Sequence, residues 1–217
     1  MTLLSSLSYD PVELKFGTSG RRGEIIHLTP LEIYINVLAE VEYLLSLPLS
    51  EGGIRVGDEF YFATDLRPSS PALAIPAVEA LRASGMNPVN CGRIPTPALT
   101  YYALAQGKGS LMVTGSHIPF NRNGYKLNTS RGELLKHHEA PINACVAMVR
   151  QRIYDEAAES SLFNAEGKFK ASPAPMPTGT TAAAGMYLDR YLEFFADKSL
   201  KGRRILVYQH SAVGRDM

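Results

Sequence analysis

The stretch "SSPALAIPAVEALRASGMNPVNCGRIPTPALTYYALAQGKGSLMVTGS", Ser69 to Ser116, decides the fold class. It opens on serine and Pro71, runs apolar through Leu81 and closes on Gly85, the start and stop grammar of a helix capped by Ser70. Pro76 falls inside that helix and is expected to bend it. "NPVNCG" then reads as a short strand, "PTPALTYYALAQ" as a helix begun by Thr96 and Pro97, and "SLMVTG" as the next strand. Helix and strand in alternation predict a layered α/β domain. Ligands of such domains collect at loops beyond the carboxyl ends of strands. The loop after this last strand begins with Ser116 and returns to Lys126.

Outward from that stretch the pattern continues. "TPLEIYINVLAEVEYLLSLP" predicts a helix capped by Thr29, with Pro30 next and Glu32 closing a capping box. Its apolar face is Leu31, Ile35, Leu38, Val41 and Leu45, and Pro48 ends it. "EFYFATD" reads as a strand. Beyond Lys168 the composition shifts to Ala, Pro, Thr and Gly, which predicts a linker or long loop through Gly185. After it comes one helix, with Tyr187, Tyr191, Phe194 and Phe195 as its apolar contacts, and then one strand, "RILVYQ". One helix and one strand cannot cover both faces of a sheet. A second domain that breaks off soon after it begins is therefore expected.

The bulk properties exclude several classes. The 217 residues hold 22 Lys plus Arg against 21 Asp plus Glu, a net charge of +1, which gives no electrostatic reason to bind nucleic acid or an anionic membrane. Two cysteines are too few for a disulfide scaffold, and no apolar run approaches a membrane span. A cytoplasmic location is the expectation, as the N-terminus lacks the features of a signal peptide.

Three polar clusters carry candidate chemistry. In "FGTSGRRGEI", Gly17, Gly20 and Gly23 permit close backbone approach, and Arg21 and Arg22 offer forked donors suited to phosphate; the plainer reading is a glycine-rich surface turn. In "ATDLRPSS", Asp65 and Arg67 read as a surface ion pair and Ser70 as a helix cap. "VTGSHIPFNRNGYKLN" resists such a plain account, because turn residues, not a periodic helix, follow Ser116. His117 is adjacent, but neighbours on a strand point to opposite faces, so a Ser–His dyad is not implied. The "KHHE" run from Lys136 reads as a solvated helix start without metal-site spacing.

Taken together, "FGTSGRRGE", "TDLRPSS", "GRIPTPAL" and "VTGSHIPFNRNGYK" resemble, in order, the motifs of the α-D-phosphohexomutase superfamily, most of all those of bacterial phosphomannomutases. The resemblance implies a three-layer α/β/α mixed-sheet domain over residues 1–153, a connecting segment over 154–185, and the truncated start of a similar domain over 186–217. It implies that Ser116 carries a transferable phosphate, that Lys126 transfers the proton, that His117 assists and that Arg22 faces the phosphoserine. Thr18, Ser19, Arg22 and Arg67 would hold phosphate. The substrate would be a hexose phosphate, mannose first and glucose or glucosamine behind it, with a hexose 1,6-bisphosphate as activator. Mg²⁺ would bind the phosphate on Ser116, but the family's three aspartate ligands belong to a stretch this chain lacks. Little turnover by this chain alone is then expected, and a non-catalytic phosphosugar-binding or scaffold protein is the rival reading. Two positions depart from the usual motif. Gly115 replaces alanine, expected to loosen the loop, and Ile118 replaces asparagine, expected to remove an orienting amide.

Overall fold

The computed structural model describes residues 1–17 and 20–217. In chain order these form a short helix Leu3–Ser6 (α1), strands Lys15–Gly17 (β1) and Gly20–Glu24 (β2), helix Pro30–Ser46 (α2) and strand Glu59–Thr64 (β3). Helix Ser70–Ala83 (α3), strand Asn87–Arg93 (β4), helix Thr96–Ala105 (α4) and strands Ser110–Val113 (β5), Arg122–Thr129 (β6) and Gly132–Glu133 (β7) follow. Helices Glu139–Tyr154 (α5) and Ala182–Phe194 (α6) complete the set.

The strand β3 shows how the layers arise. Successive side chains leave a strand on opposite faces. Phe60 and Phe62 enter the core made with α2, α3 and α5, whereas Tyr61 and Ala63 enter a second core with α4 and α6. A strand buried on both faces reads as a continuous apolar run, as "FYFA" does. The result is the expected α/β/α arrangement around a mixed sheet. Among the described residues the sheet has the order β1-β2-β6-β5-β3-β4, with β7 on β6. The pairs β5–β3 and β3–β4 are parallel; β1–β2, β2–β6 and β6–β5 are antiparallel.

Helix α2 lies between α3 and α5 and is buried almost all round, from Leu31 to Val41. Thr29 caps it as expected, accepting from the Glu32 amide at 3.2 Å. The capping box does not close. The Glu32 carboxylate turns inward instead, accepting from both Arg150 Nη atoms at 2.6 and 2.7 Å and from the Leu14 amide at 3.1 Å. One turn on each, Asn36 and Glu40 are also buried, and Glu40 meets Arg21 at 2.7 Å. This polar stripe ties α2 to α5 and to β2.

Other expectations need correction. Ser70 and Thr96 begin α3 and α4 without a side-chain capping bond. The Pro-rich stretch from Lys168 is free of helix and strand up to α6, yet it is tied down. Arg82 donates to the Ala174 and Pro175 carbonyls at 3.2 and 2.7 Å, Asn90 Nδ2 donates to Pro177 at 3.0 Å, and the Thr180 amide donates to Asn90 at 2.8 Å. That strap runs along the outer edge of β4. "RILVYQ" forms no strand and is exposed, with Leu206 95% and Tyr208 88% accessible; an unpaired strand has no ladder to hold it. In α6, Ala183 and Tyr187 pack against α4, while Tyr191, Phe194 and Phe195 are exposed.

The "KHHE" run is not wholly solvated. His138 is buried, with its Nδ1 at 2.8 Å from the Tyr43 hydroxyl and its ring stacked near that of His137. Burial, helped by His137, holds its pKa below the ordinary histidine value. The unfolded chain therefore binds a proton at this position before the folded one does. The stability contribution is present above the ordinary histidine pKa and is lost as pH falls through the folded value. Urea midpoints compared at about pH 7.5 and about pH 5.5, spanning the unperturbed histidine range, are expected to drop more for this protein than for His138→Gln. Equal drops would remove His138 from the account.

Candidate active site

Chain direction places the site. From β3 the chain crosses through α3 to β4 on one side, and from the neighbouring β5 it continues to β6 on the other. Adjacent parallel strands whose connections leave in opposite directions open a crevice at their carboxyl ends. Two loops meet at this crevice, the one beginning at Asp65 and the one beginning at Thr114. They hold two of the four matched motifs.

Ser116 is exposed just past the end of β5. Its φ is +49°, and among the described residues it alone has a positive φ without being glycine. A left-handed non-glycine residue costs on the order of 1–3 kcal/mol and persists only where its surroundings fix it. Here the Ser116 amide donates to Thr114 Oγ1 at 2.9 Å, and the Ile118 amide donates back to the Gly115 carbonyl at 3.0 Å. The turn also brings two neighbours together that a strand would separate. Ser116 Oγ lies 3.3 Å from His117 Nδ1, contrary to the opposite-face expectation.

The Asp65 loop supports the Ser116 loop from below. Asp65 Oδ2 accepts from the Gly115 amide at 3.0 Å, and its Oδ1 accepts from the Arg67 amide at 3.0 Å and the Ser70 hydroxyl at 2.5 Å. Asn123 Nδ2, buried at the start of β6, donates to the hydroxyls of Ser69 and Ser70 at 2.7 and 3.0 Å. Ser70 is thus a strut between the two loops, and the helix-cap reading does not hold. Arg67 donates from Nη1 to the Pro119 and Arg122 carbonyls, both at 2.9 Å, and from Nη2 to Ile118 at 2.6 Å and Ser116 at 3.3 Å. The surface ion pair is marginal, at 3.8 Å between Arg67 Nε and Asp65. The fork expected to hold phosphate has carbonyl oxygens of the serine loop as its partners.

Register fixes the two remaining cations. Gly20 lies opposite Lys126, and Arg22 opposite Gly124, in the β2–β6 ladder. Directly paired residues share a face, as do residues two apart, so Arg22 and Lys126 project from the same face of the sheet. Met112 pairs with Lys126 and belongs to the core on the α4 side, which identifies that face. Both cations are half-buried. The doublet "RR" is split by the pleat. Arg21 turns to the opposite face and is buried, with Nε on Glu40, Nη1 on the Leu14 carbonyl at 2.8 Å and Nη2 on Asn143 at 3.0 Å. Burial pushes the Glu40 carboxyl above its usual range, against the pull of Arg21. Gly20 is required by the ladder, because a Cβ there would stand 2.1 Å from the Tyr125 carbonyl oxygen. The expected phosphate ligands Thr18 and Ser19 lie outside the described residues.

The residues present do not make a metal site by themselves. Among the described residues no group of three or more His, Cys, Asp or Glu is placed to hold an ion. Asp65, the carboxylate that touches the serine loop, has both oxygens engaged by protein donors. Among the described residues, a phosphate on Ser116 is what would be left to hold an ion.

Sequence reasoning missed Asp65 and Asn123 as parts of the site. The available signal was an acidic residue at the very end of a strand, two before an arginine. No helix of the described residues is long and apolar enough to cross a membrane.

The family model described as phosphoglucomutase/phosphomannomutase, alpha/beta/alpha domain I, matches residues 13–152. A phosphomannomutase of Sinorhizobium fredii is 36% identical over 203 residues, covering 94% of this chain and 39% of the relative. One from Salmonella muenchen is 32% identical over 216 residues, covering 97% of this chain and again 39% of the relative. The chain therefore spans about two fifths of the length of these curated relatives. A putative phosphomannomutase structure from Thermus thermophilus shares the fold, with a TM-score of 0.60 at 22% identity over 86% of this chain and 38% of that one.

Proposed function

This chain belongs to the phosphoglucomutase/phosphomannomutase family, and we propose that it is the phosphate-carrying part of a phosphohexomutase, with a hexose phosphate as substrate. The carrier is Ser116. Its phosphate passes to a free hydroxyl of the hexose phosphate, at C1 or C6. The Oγ–P bond breaks as the new P–O bond forms, the hydroxyl proton leaves to Lys126, and the departing Oγ takes a proton from His117 Nδ1, 3.3 Å away. The product of this half is a hexose 1,6-bisphosphate. After that intermediate turns over, Ser116 Oγ returns its proton to His117 as it takes the other phosphoryl group, and the bond from that phosphorus to the sugar oxygen breaks. Lys126 returns the proton to that oxygen, so the carrier and the base are both restored.

Each residue has a physical task. Phosphoryl transfer requires in-line placement and neutralisation of the transferring oxygens more than covalent assistance. The left-handed turn presents Oγ to solvent at the crevice, and Arg22 and Lys126 share one face of the sheet. His117 Nδ1, close to Oγ, steadies the hydroxyl when Ser116 is unphosphorylated. Mg²⁺ would neutralise phosphate charge when bound. The observation that carries the reading is the exposed, strained Ser116 at the switch point, with two cations brought to one face by register.

The lack of a metal-binding carboxylate group among the described residues favours a second reading, in which the chain binds phosphosugar without turnover. One experiment separates the two. The protein and its Ser116→Ala variant are incubated with glucose 1,6-bisphosphate or mannose 1,6-bisphosphate, and intact mass is measured. One phosphate on the parent and none on the variant is expected. No phosphate on either supports the second reading, and equal uptake by both moves the carrier elsewhere.

A further inference from the structure

We propose that Arg67 is a positioning residue that holds Ser116 in its left-handed turn, and that Gly115 is glycine because of Arg67. The inference rests on the reading of Ser116 as the phosphate carrier, and it assigns Arg67 away from phosphate. Its side chain is 14% exposed, and its guanidinium makes four hydrogen bonds to carbonyl oxygens of one loop, those of Ser116, Ile118, Pro119 and Arg122. These four residues span the whole turn from the serine to the start of β6. The aromatic ring of Phe120, from the same loop, lies 5.8 Å from the guanidinium carbon. Loop carbonyls that diverge from a regular ladder need donors, and a fixed planar fork supplies several at once.

Gly115 completes the fit. It is buried, and a Cβ built on it would stand 2.1 Å from Arg67 Nε and 2.2 Å from Cζ. A free arginine would swing aside from a methyl group. This one would have to break its carbonyl bonds to do so, so a side chain at residue 115 and the guanidinium at this place exclude each other. Gly115 therefore does not loosen the loop. Its amide is held by Asp65, and its missing side chain makes room for the brace. Ile118 acts through its carbonyl, the shortest of the four acceptors at 2.6 Å.

Four variants of the full chain test this: Arg67→Ala, Arg67→Lys, Gly115→Ala and the double Arg67→Ala/Gly115→Ala. Amide hydrogen exchange at Ser116, Ile118 and Arg122 is the first readout. Arg67→Ala is expected to speed exchange there at least about tenfold, the loss of one charged hydrogen bond of ordinary strength, with amides of β3 and β5 unchanged. Gly115→Ala should match it, and the double variant should be no worse than Arg67→Ala, since the clash is gone. Arg67→Lys should not rescue, because one ammonium cannot meet four divergent carbonyls. Unchanged exchange in Arg67→Ala, full rescue by lysine, or additive effects in the double variant would overturn the proposal. If Arg67→Ala unfolds, Gly115→Ala against the lysine variant decides it in the same way.

The second readout is Ser116 labelling by a hexose 1,6-bisphosphate. A lower maximal labelling rate at unchanged half-saturation is expected. A raised half-saturation with unchanged maximal rate would make Arg67 a phosphate binder and overturn the brace. If the parent protein takes no label, the carrier reading fails, and the exchange data still decide whether Arg67 holds the loop.

Discussion

Lys126→Met is expected to slow the proposed phosphoryl transfer between Ser116 and a hexose phosphate by about 10²- to 10⁴-fold, the usual contribution of a positioned proton-transfer group. Methionine keeps the length of the side chain and removes the amine. Its site in the β2–β6 ladder, between Gly20 and Met112, tolerates an unbranched apolar chain. The fold should therefore survive, and the loss should lie in the transfer rate with little change in half-saturation. Single-turnover transfer from phosphorylated protein isolated from its own cells measures it. A variant that transfers at the parental rate would exclude Lys126 as the base, whatever its place on the sheet.

Arg21→Met has its largest effect on stability. Arg21 and Glu40 form a pair with side chains 3% and 0% exposed. Breaking a buried pair by removing one partner costs about 3–5 kcal/mol, because a buried charge is left alone. That is a large share of the roughly 5–15 kcal/mol by which a domain is stable. Replacing both, as in Arg21→Met/Glu40→Leu, removes the lonely charge and should recover much of the loss. Urea unfolding of the two single variants and the double variant measures this. Strictly additive losses would mean that the two residues do not act as a pair. The prediction bears on function through register. Arg21 pairs with Tyr125 in the ladder, and their next neighbours are Arg22 and Lys126. A slip of one residue between the two strands would turn Arg22 to the face opposite Lys126.

Legibility differed by element for physical reasons. Helices announced by a proline at their start and by apolar spacing were readable, as were β3 and β5, which are buried on both faces and so carry uninterrupted apolar runs. By sequence, strand β6 reads as part of the loop that follows Ser116. Its "RNGYKLNT" carries Asn-Gly near its start, the signature of a turn, and it buries a polar residue on each face, Asn123 on one and Asn128 on the other, satisfied by serine and threonine hydroxyls. The alternation of Lys126 with Tyr125 and Leu127 was the signal available. β1 and β2 were read as a glycine-rich turn because they are short and contain few β-formers. "RILVYQ" failed in the other direction. Its composition is that of a strand, but strand propensity needs a neighbouring ladder.

At the candidate site, the sequence points to Ser116 and Lys126, the residues proposed to carry chemistry, and not to the contacts that hold the serine loop. Ser116 and Lys126 were visible because they broke the local pattern. Arg67 and Gly115 are singled out too, but not their contact with each other, because it is a matter of which atoms meet across 48 residues of chain, and spacing along the sequence does not contain that. The inward turn of Glu32 is of the same kind. Its position fits a cap, and only the arrival of Arg150 from α5 redirects it.

The most direct test of the account is where phosphate sits in the protein isolated from its own cells. Peptide fragmentation at acidic and at neutral pH separates an acid-stable phosphoserine from an acid-labile phosphohistidine. The account predicts acid-stable phosphate on Ser116, discharged on brief exposure to a hexose phosphate. Phosphate on His117, on Thr114 or on Ser69 or Ser70, or a phosphate on Ser116 that a hexose phosphate does not remove, would contradict it.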